Sequence, residues 1–174
     1  MITSQRVLAA AFLVPVLTAL GACSGSVSTG GYDPDDVAEQ VQEAQAKAIP
    51  DLEVTDASCP DDSEPEEGGT TECTVAIDGV EAAYTVTFTE VTDDNVNFDI
   101  EPTQAIVSVA STVEAYQAEL EKQGFADVEV DCGDAGVVVQ DPGTTFTCEL
   151  TQDGSTFERT VTIDDLDGNI TFEF

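Results

Sequence analysis

The chain has 174 residues, of which 36 are acidic and 4 basic with no histidine, so its formal net charge is −32. This charge removes the attraction on which binding to nucleic acid depends, and we expect no nucleic-acid partner. The missing histidine excludes Ser-His-Asp and Cys-His catalytic systems and every histidine-containing metal site. Hydrophobic residues make up 41% of the chain, which is enough for one or two folded domains.

Residues 1–22 are predicted to be a lipoprotein signal peptide. Arg6 precedes the apolar stretch Val7–Leu20, which is shorter than the roughly 20 apolar residues that a membrane-spanning helix needs. Leu20-Gly21-Ala22-Cys23 then resembles a bacterial lipobox, and Cys23 is the predicted lipidation site. The alternative is an ordinary secretory signal that ends beside a cysteine. Because two acyl chains suffice for stable anchoring, the predicted location is the outer face of the bacterial plasma membrane.

A short tether and a first folded unit are expected next. Residues 23–32 are rich in serine and glycine and are predicted to be flexible. Unit one, residues 33–100, opens with Asp33 as a helix N-cap and Pro34 in the first helical position. Pro50 ends that helix. Alternating apolar residues then predict an antiparallel sheet with one solvated face, in which Asp78-Gly79 forms a hairpin turn.

Unit two, residues 101–174, is predicted to repeat this order of elements. Cysteine, Asp-Gly, Thr-Val-Thr and Asn-x-x-Phe recur in the same order about 75 residues later, which indicates an internal duplication. The start of its helix is left open, since Ser111 begins a possible capping box but apolar spacing also fits a helix from Thr103. Each unit is therefore expected to be an α+β domain, an N-terminal helix packed on a small antiparallel β-meander, and the two are expected to fold separately.

Export implies an oxidising compartment for the cysteines that remain after Cys23. Four cysteines permit three connectivities, and their spacing alone does not choose between them. A metal site is the rival interpretation, but the sequence has no Cys-x-x-Cys pair. Because a duplicated unit carries its own bridge, the repeat predicts one disulfide within each unit. The predicted pairs are Cys59–Cys73 and Cys132–Cys148.

Several of these motifs resemble an actinobacterial lipoprotein family catalogued as domain of unknown function 4333. The resemblance is carried by Cys59-Pro60, Cys73 and Val96–Ile100 behind the lipobox, and it covers roughly residues 33–100. Unit two resembles a diverged copy, since Gly133 follows Cys132 and Arg159 stands where unit one has Tyr84. The resemblance implies a small extracytoplasmic domain attached to the cell envelope and implies no activity.

The sequence contains no recognisable catalytic motif, and we expect no enzyme, no cofactor and no metal site. Nothing distinguishes one pair of carboxylates among the 36 acidic residues. The expected function is a lipid-anchored extracytoplasmic binding or interaction module of the cell envelope. Its expected partners are the membrane, through the anchor, and an unknown envelope protein or ligand. The alternative is a cation-responsive module that binds calcium weakly, for which Asp164–Asn169 and the acidic loop Asp61–Glu67 are the candidates.

Overall fold

Two antiparallel sheets, each packed against one helix, form the two units in the computed structural model. The model describes residues 13–14, 23–27, 32–61 and 65–173. This α+β architecture, with one disulfide in each unit, confirms the predicted fold class. No helix among the described residues is long and apolar enough to cross a membrane.

The helix of unit one, α1 (Pro34–Ala48), begins and ends where the sequence predicts. The Asp33 side chain accepts a hydrogen bond from the Asp35 amide at 3.0 Å, so it caps the first turn. Two aspartates in that turn, Asp35 and Asp36, favour the positive end of the helix dipole. Val37 and Val41 are fully buried against the sheet.

The sheet of unit one has five strands in the order β2-β6-β5-β4-β3. The strands are β2 (Cys23–Val27), β3 (Val54–Ser58), β4 (Thr70–Ile77), β5 (Val80–Val91) and β6 (Val96–Pro102). Asp78 and Gly79 both have positive φ angles and make the predicted hairpin turn between β4 and β5. Alternate residues of β4, β5 and β6 point to α1 and are buried, which confirms the predicted period of two.

Unit two repeats this arrangement around α2 (Val109–Lys122) and a sheet in the order β1-β12-β11-β10-β8. Asp153-Gly154 makes its hairpin turn, again with positive φ at both residues. The strands are β1 (Leu13–Val14), β8 (Glu129–Asp131), β10 (Thr145–Gln152), β11 (Ser155–Ile163) and β12 (Ile170–Phe172). The two residues of β1 fall within the predicted signal peptide, so processing of that peptide would remove this strand.

A small third sheet joins the two units, and the sequence did not predict it. It pairs β7 (Ala105–Ser108) with β9 (Val137–Gln140). Both predicted helix starts are wrong: residues 105–108 form a strand, which excludes a helix from Thr103, and α2 begins at Val109, so Ser111 lies inside its first turn. Ser108 is the N-cap of α2 and accepts a hydrogen bond from the Ser111 amide at 3.3 Å.

The β7–β9 pair lies between the two hydrophobic cores. Ile106 and Val137 are buried with the core of unit one, whereas Ala105 and Val107 are buried with the core of unit two. Gly136, just before β9, comes so close to the unit-one hairpin that an added Cβ would lie 2.0 Å from Asp78 Oδ2. The units therefore share a packed interface, although each has its own sheet and disulfide.

Candidate functional site

A pocket with a volume of about 170 Å³ opens on unit two, between the end of α2 and the β10–β11 hairpin. Its walls are mostly apolar. Phe125 and Phe157 are about half exposed, at 47% and 50% of their surface, and stand at its edge. The lining residues are Leu120, Phe125, Val128, Leu150, Gln152, Phe157 and Arg159.

The end of α2 builds one wall of this pocket through a Schellman motif. Gly124 has a φ of +89° and donates its amide to the carbonyl of Glu121 at 3.0 Å. The Phe125 amide donates to the carbonyl of Leu120, also at 3.0 Å. This pattern commonly brings the two outer residues of the motif into hydrophobic contact. Here those residues, Leu120 and Phe125, both line the pocket.

The hairpin supplies the opposite wall through its register. Leu150 on β10 is paired with Phe157 on β11, and Cys148 is paired with Arg159. Because paired residues of an antiparallel sheet point to the same face, these four side chains form two adjacent rows. Cys148 is fully buried, so the rows run from the core at the disulfide to the open end of the hairpin.

The same positions are closed in unit one. Tyr84, paired with Cys73, occupies the place of Arg159 and is 1% exposed. The next pair outward, Val75 and Ala82, is also buried, whereas Phe157 at the matching place in unit two is half exposed. The pocket therefore lies at a place where the two units differ: unit two has Arg159 where unit one has the buried Tyr84.

Arg159 differs from the other described cations in its electrostatic environment. Lys47 and Lys122 form ion pairs with Glu43 and Glu119, at 3.5 and 3.1 Å. In the described part of the chain, Arg159 has no carboxylate oxygen within 4.0 Å. Its Nη1 donates to the backbone carbonyl of Glu158 at 2.9 Å, and its Cζ lies 5.8 Å from the centre of the Phe157 ring. The guanidinium thus retains donors that these contacts do not use.

Tyr116 packs beneath the same sheet, and its contacts give it a structural role. It is fully buried, stacks on Phe172 with ring centres 4.2 Å apart, and donates its hydroxyl to the backbone carbonyl of Glu173. Burial raises the pKa of Tyr116 to about 12, Arg159 acts to lower it, and Glu173 adds to the increase. The phenol is therefore neutral at ordinary pH and serves as a buried hydrogen-bond donor.

This environment predicts a loss of stability at high pH. Since the folded pKa is raised above the unfolded value of about 10, the stabilisation is complete below pH 10 and is lost as the pH rises towards 12. Urea unfolding of the Cys23→Ser chain at about pH 9 and about pH 11 measures this loss, which we expect to be roughly 1 kcal/mol between these two pH values. Tyr116→Phe is expected to show a smaller change between the two pH values. An equal change in both proteins would contradict the assignment to Tyr116.

The structure places the predicted cysteines as follows. The bridges are Cys59–Cys73 and Cys132–Cys148, which confirms the pairing predicted from the repeat. Cys23 lies opposite Ile100 at the start of the edge strand β2. Here the structure differs from the predicted flexible tether, because residues 23–27 pair with β6. Residues 28–31 lie outside the described residues.

The predicted calcium turn is held by its own hydrogen bonds. Both carboxylate oxygens of Asp165 accept from Asn169, one from the backbone amide at 3.1 Å and one from the side-chain amide at 2.7 Å. Asp164 accepts from the Thr171 hydroxyl at 2.8 Å. Among the described residues, no three acidic or cysteine side chains converge as a metal site would require. In the acidic loop, residues 62–64 lie outside the described residues, and weak calcium binding stays a prediction.

Comparison with known proteins identifies one part of the chain. Residues 18–93 match the family described as Domain of unknown function (DUF4333), so the chain contains one domain of this family. The match begins before Cys23 and ends after β5, and it therefore includes both cysteines of the unit-one bridge. No curated protein and no solved structure matches the chain. Unit two, with its pocket, lies outside the matched residues.

Proposed function

We propose that this chain is a lipid-anchored, non-enzymatic binding module on the outer face of a bacterial plasma membrane. In this proposal Cys23 carries the lipid and unit two binds a ligand of the cell envelope. The observation that carries the binding role is the open apolar pocket between α2 and the β10–β11 hairpin. A concave apolar site with a few polar groups is the usual form of a ligand-binding site.

The anchoring role is supported by the sequence before the first unit. Arg6, the apolar stretch Val7–Leu20 and the lipobox that ends at Cys23 have the order of a lipoprotein signal. In a processed chain Cys23 would be the first residue, and it is also the first residue of β2. The lipid would then be attached at the edge of the unit-one sheet, which positions that edge close to the bilayer.

The binding role is further supported by the relation between the units. We propose that unit two is a diverged copy of the actinobacterial lipoprotein domain. The two hairpins pair their strands in the same register, with Cys73 opposite Tyr84 in unit one and Cys148 opposite Arg159 in unit two. After duplication one copy is free to change, and here the change removes a core tyrosine and opens an apolar surface.

Anchoring is tested by replacing Cys23 with serine, which removes the thiol that would be acylated. We expect the wild-type protein to partition into the detergent phase. Cys23→Ser is expected to lose that partitioning, because it carries no acyl chains and the apolar stretch Val7–Leu20 is too short to span the bilayer. Ser24→Ala is the matched control and is expected to partition like the wild type. Membrane retention of Cys23→Ser would show instead that the apolar leader itself is the anchor.

A further inference from the structure

We infer that the pocket in unit two binds a small hydrophobic carboxylate, with one aromatic ring among the apolar side chains and the carboxylate on Arg159. The inference rests on the proposed binding function and names the class of ligand that the site accepts. The volume of the pocket, the two phenylalanines at its edge and the charge of Arg159 together point to this class of ligand.

The volume of the pocket limits the apolar part of the ligand. Its 170 Å³ is close to the roughly 150 Å³ of an apolar protein cavity that accommodates one benzene molecule. Pockets for drug-sized ligands span roughly 300–1,000 Å³. The site is thus large enough for a single ring and too small to enclose the acyl chain of a membrane lipid.

The lining favours an aromatic ring over an alkyl group. Phe125 and Phe157 stand half exposed at the edge, where they can form offset or edge-to-face contacts with a ring that enters. Leu120, Val128 and Leu150 form apolar walls. Filling this space would also remove part of the exposed surface of both phenylalanines from water, which is favourable in proportion to the apolar area covered.

The charge of Arg159 favours a carboxylate. Arg159 presents a planar set of donors that matches a carboxylate in a two-point contact, and its described contacts use only a backbone carbonyl and a ring face. The remaining charge of the protein is strongly negative, but its repulsion of an anion is screened over about 8 Å at physiological salt. None of the described residues that line the pocket is acidic, so at contact distance the guanidinium determines which charge is accepted.

Unit one provides an internal comparison. At the place of Arg159 it has Tyr84, which is buried beside its disulfide, and the neighbouring pair Val75 and Ala82 leaves no exposed ring. The described residues of unit one therefore offer no matching site.

The experiment is an NMR titration of the full chain carrying Cys23→Ser with two probes, 3-phenylpropanoate and its neutral analogue 3-phenylpropanamide. We expect both to shift the amide signals of Leu120, Phe125 and Phe157, and the carboxylate to bind about tenfold more tightly. Arg159→Gln should remove this difference and still bind the amide, which shows that the pocket remains intact. Lys47→Gln, the matched loss of one positive charge in unit one, should leave both affinities unchanged.

The possible failures separate the two claims. If the carboxylate and the amide bind equally well at the pocket of the wild-type protein, the proposed ligand class is wrong, but the proposed binding function of unit two is supported. If neither probe shifts the pocket signals, the proposed binding function of unit two is wrong as well. If Arg159→Gln keeps the preference for the carboxylate, another group holds the anion and the assignment to Arg159 is overturned.

Discussion

Truncation of Ile106 to alanine is expected to lower the free energy of unfolding by about 2–5 kcal/mol, the range for a buried isoleucine. Ile106 is 5% exposed and packs in the core of unit one, although its strand belongs to the segment that leads into α2. Its neighbour Val107 packs in the core of unit two. A cavity at Ile106 therefore weakens the β7–β9 sheet, which packs against both cores. Both units should unfold at a lower urea concentration.

Urea unfolding followed by NMR signals from each unit measures this effect. Phe98 reports on the core of unit one and Phe172 on the core of unit two, since both are almost completely buried. The control is Leu166→Ala, which removes an apolar side chain that is 41% exposed and should change stability by less than about 0.5 kcal/mol. If Ile106→Ala shifts the unfolding of one unit only, the two halves fold separately, as the sequence predicts.

The sequence predicted the two units because their signals are local. Asp33 and Pro34 define the start of α1 by capping chemistry, and the Asp-Gly pairs define hairpins because both residues adopt positive φ. The repeat chose the disulfide pairing that spacing could not choose. These elements are specified by residues close together in the chain, so one sequence was enough to locate them.

The β7–β9 sheet was missed because its stability comes from long-range contacts. Ile106 fits an apolar helical spacing as well as a strand, and the pairing of Val107 with Val138 decides between them. A signal was present in Val137, Val138 and Val139, since three successive β-branched residues favour a strand. Their alternation between two cores, however, depends on how the units pack together.

The pocket was only partly visible in the sequence. The substitution of Arg159 for Tyr84 can be read from the repeat, and it marks the place where the units differ. Whether such a difference leaves an open site depends on what covers the end of the hairpin. In unit two the Schellman motif puts Phe125 beside the hairpin and leaves Phe157 half exposed, and these are tertiary features that a local pattern does not contain.

Removal of the unit-two disulfide is expected to unfold unit two and to leave unit one folded but less stable, because Ile106 and Val137 of the β7–β9 sheet pack in the core of unit one. The bridges span 14 and 16 residues, so the chain-entropy estimate gives each of them about the same contribution, roughly 3 kcal/mol. The two cores differ in their aromatic residues. Unit one buries Tyr84, Phe88 and Phe98, whereas unit two buries Tyr116 and Phe172 and leaves Phe157 half exposed.

The measurement compares two double variants in the Cys23→Ser chain, Cys132→Ala with Cys148→Ala, and Cys59→Ala with Cys73→Ala as the matched control. Since removal of a native disulfide from a small exported domain costs roughly 2–5 kcal/mol and often abolishes folding at 37 °C, we expect unit two to be largely unfolded at that temperature. Unit one contains the larger buried cluster and should keep its dispersed amide signals when its own bridge is removed. If both double variants lose signals from the same residues, unfolding is cooperative across the β7–β9 sheet, and the stability of each unit depends on the other.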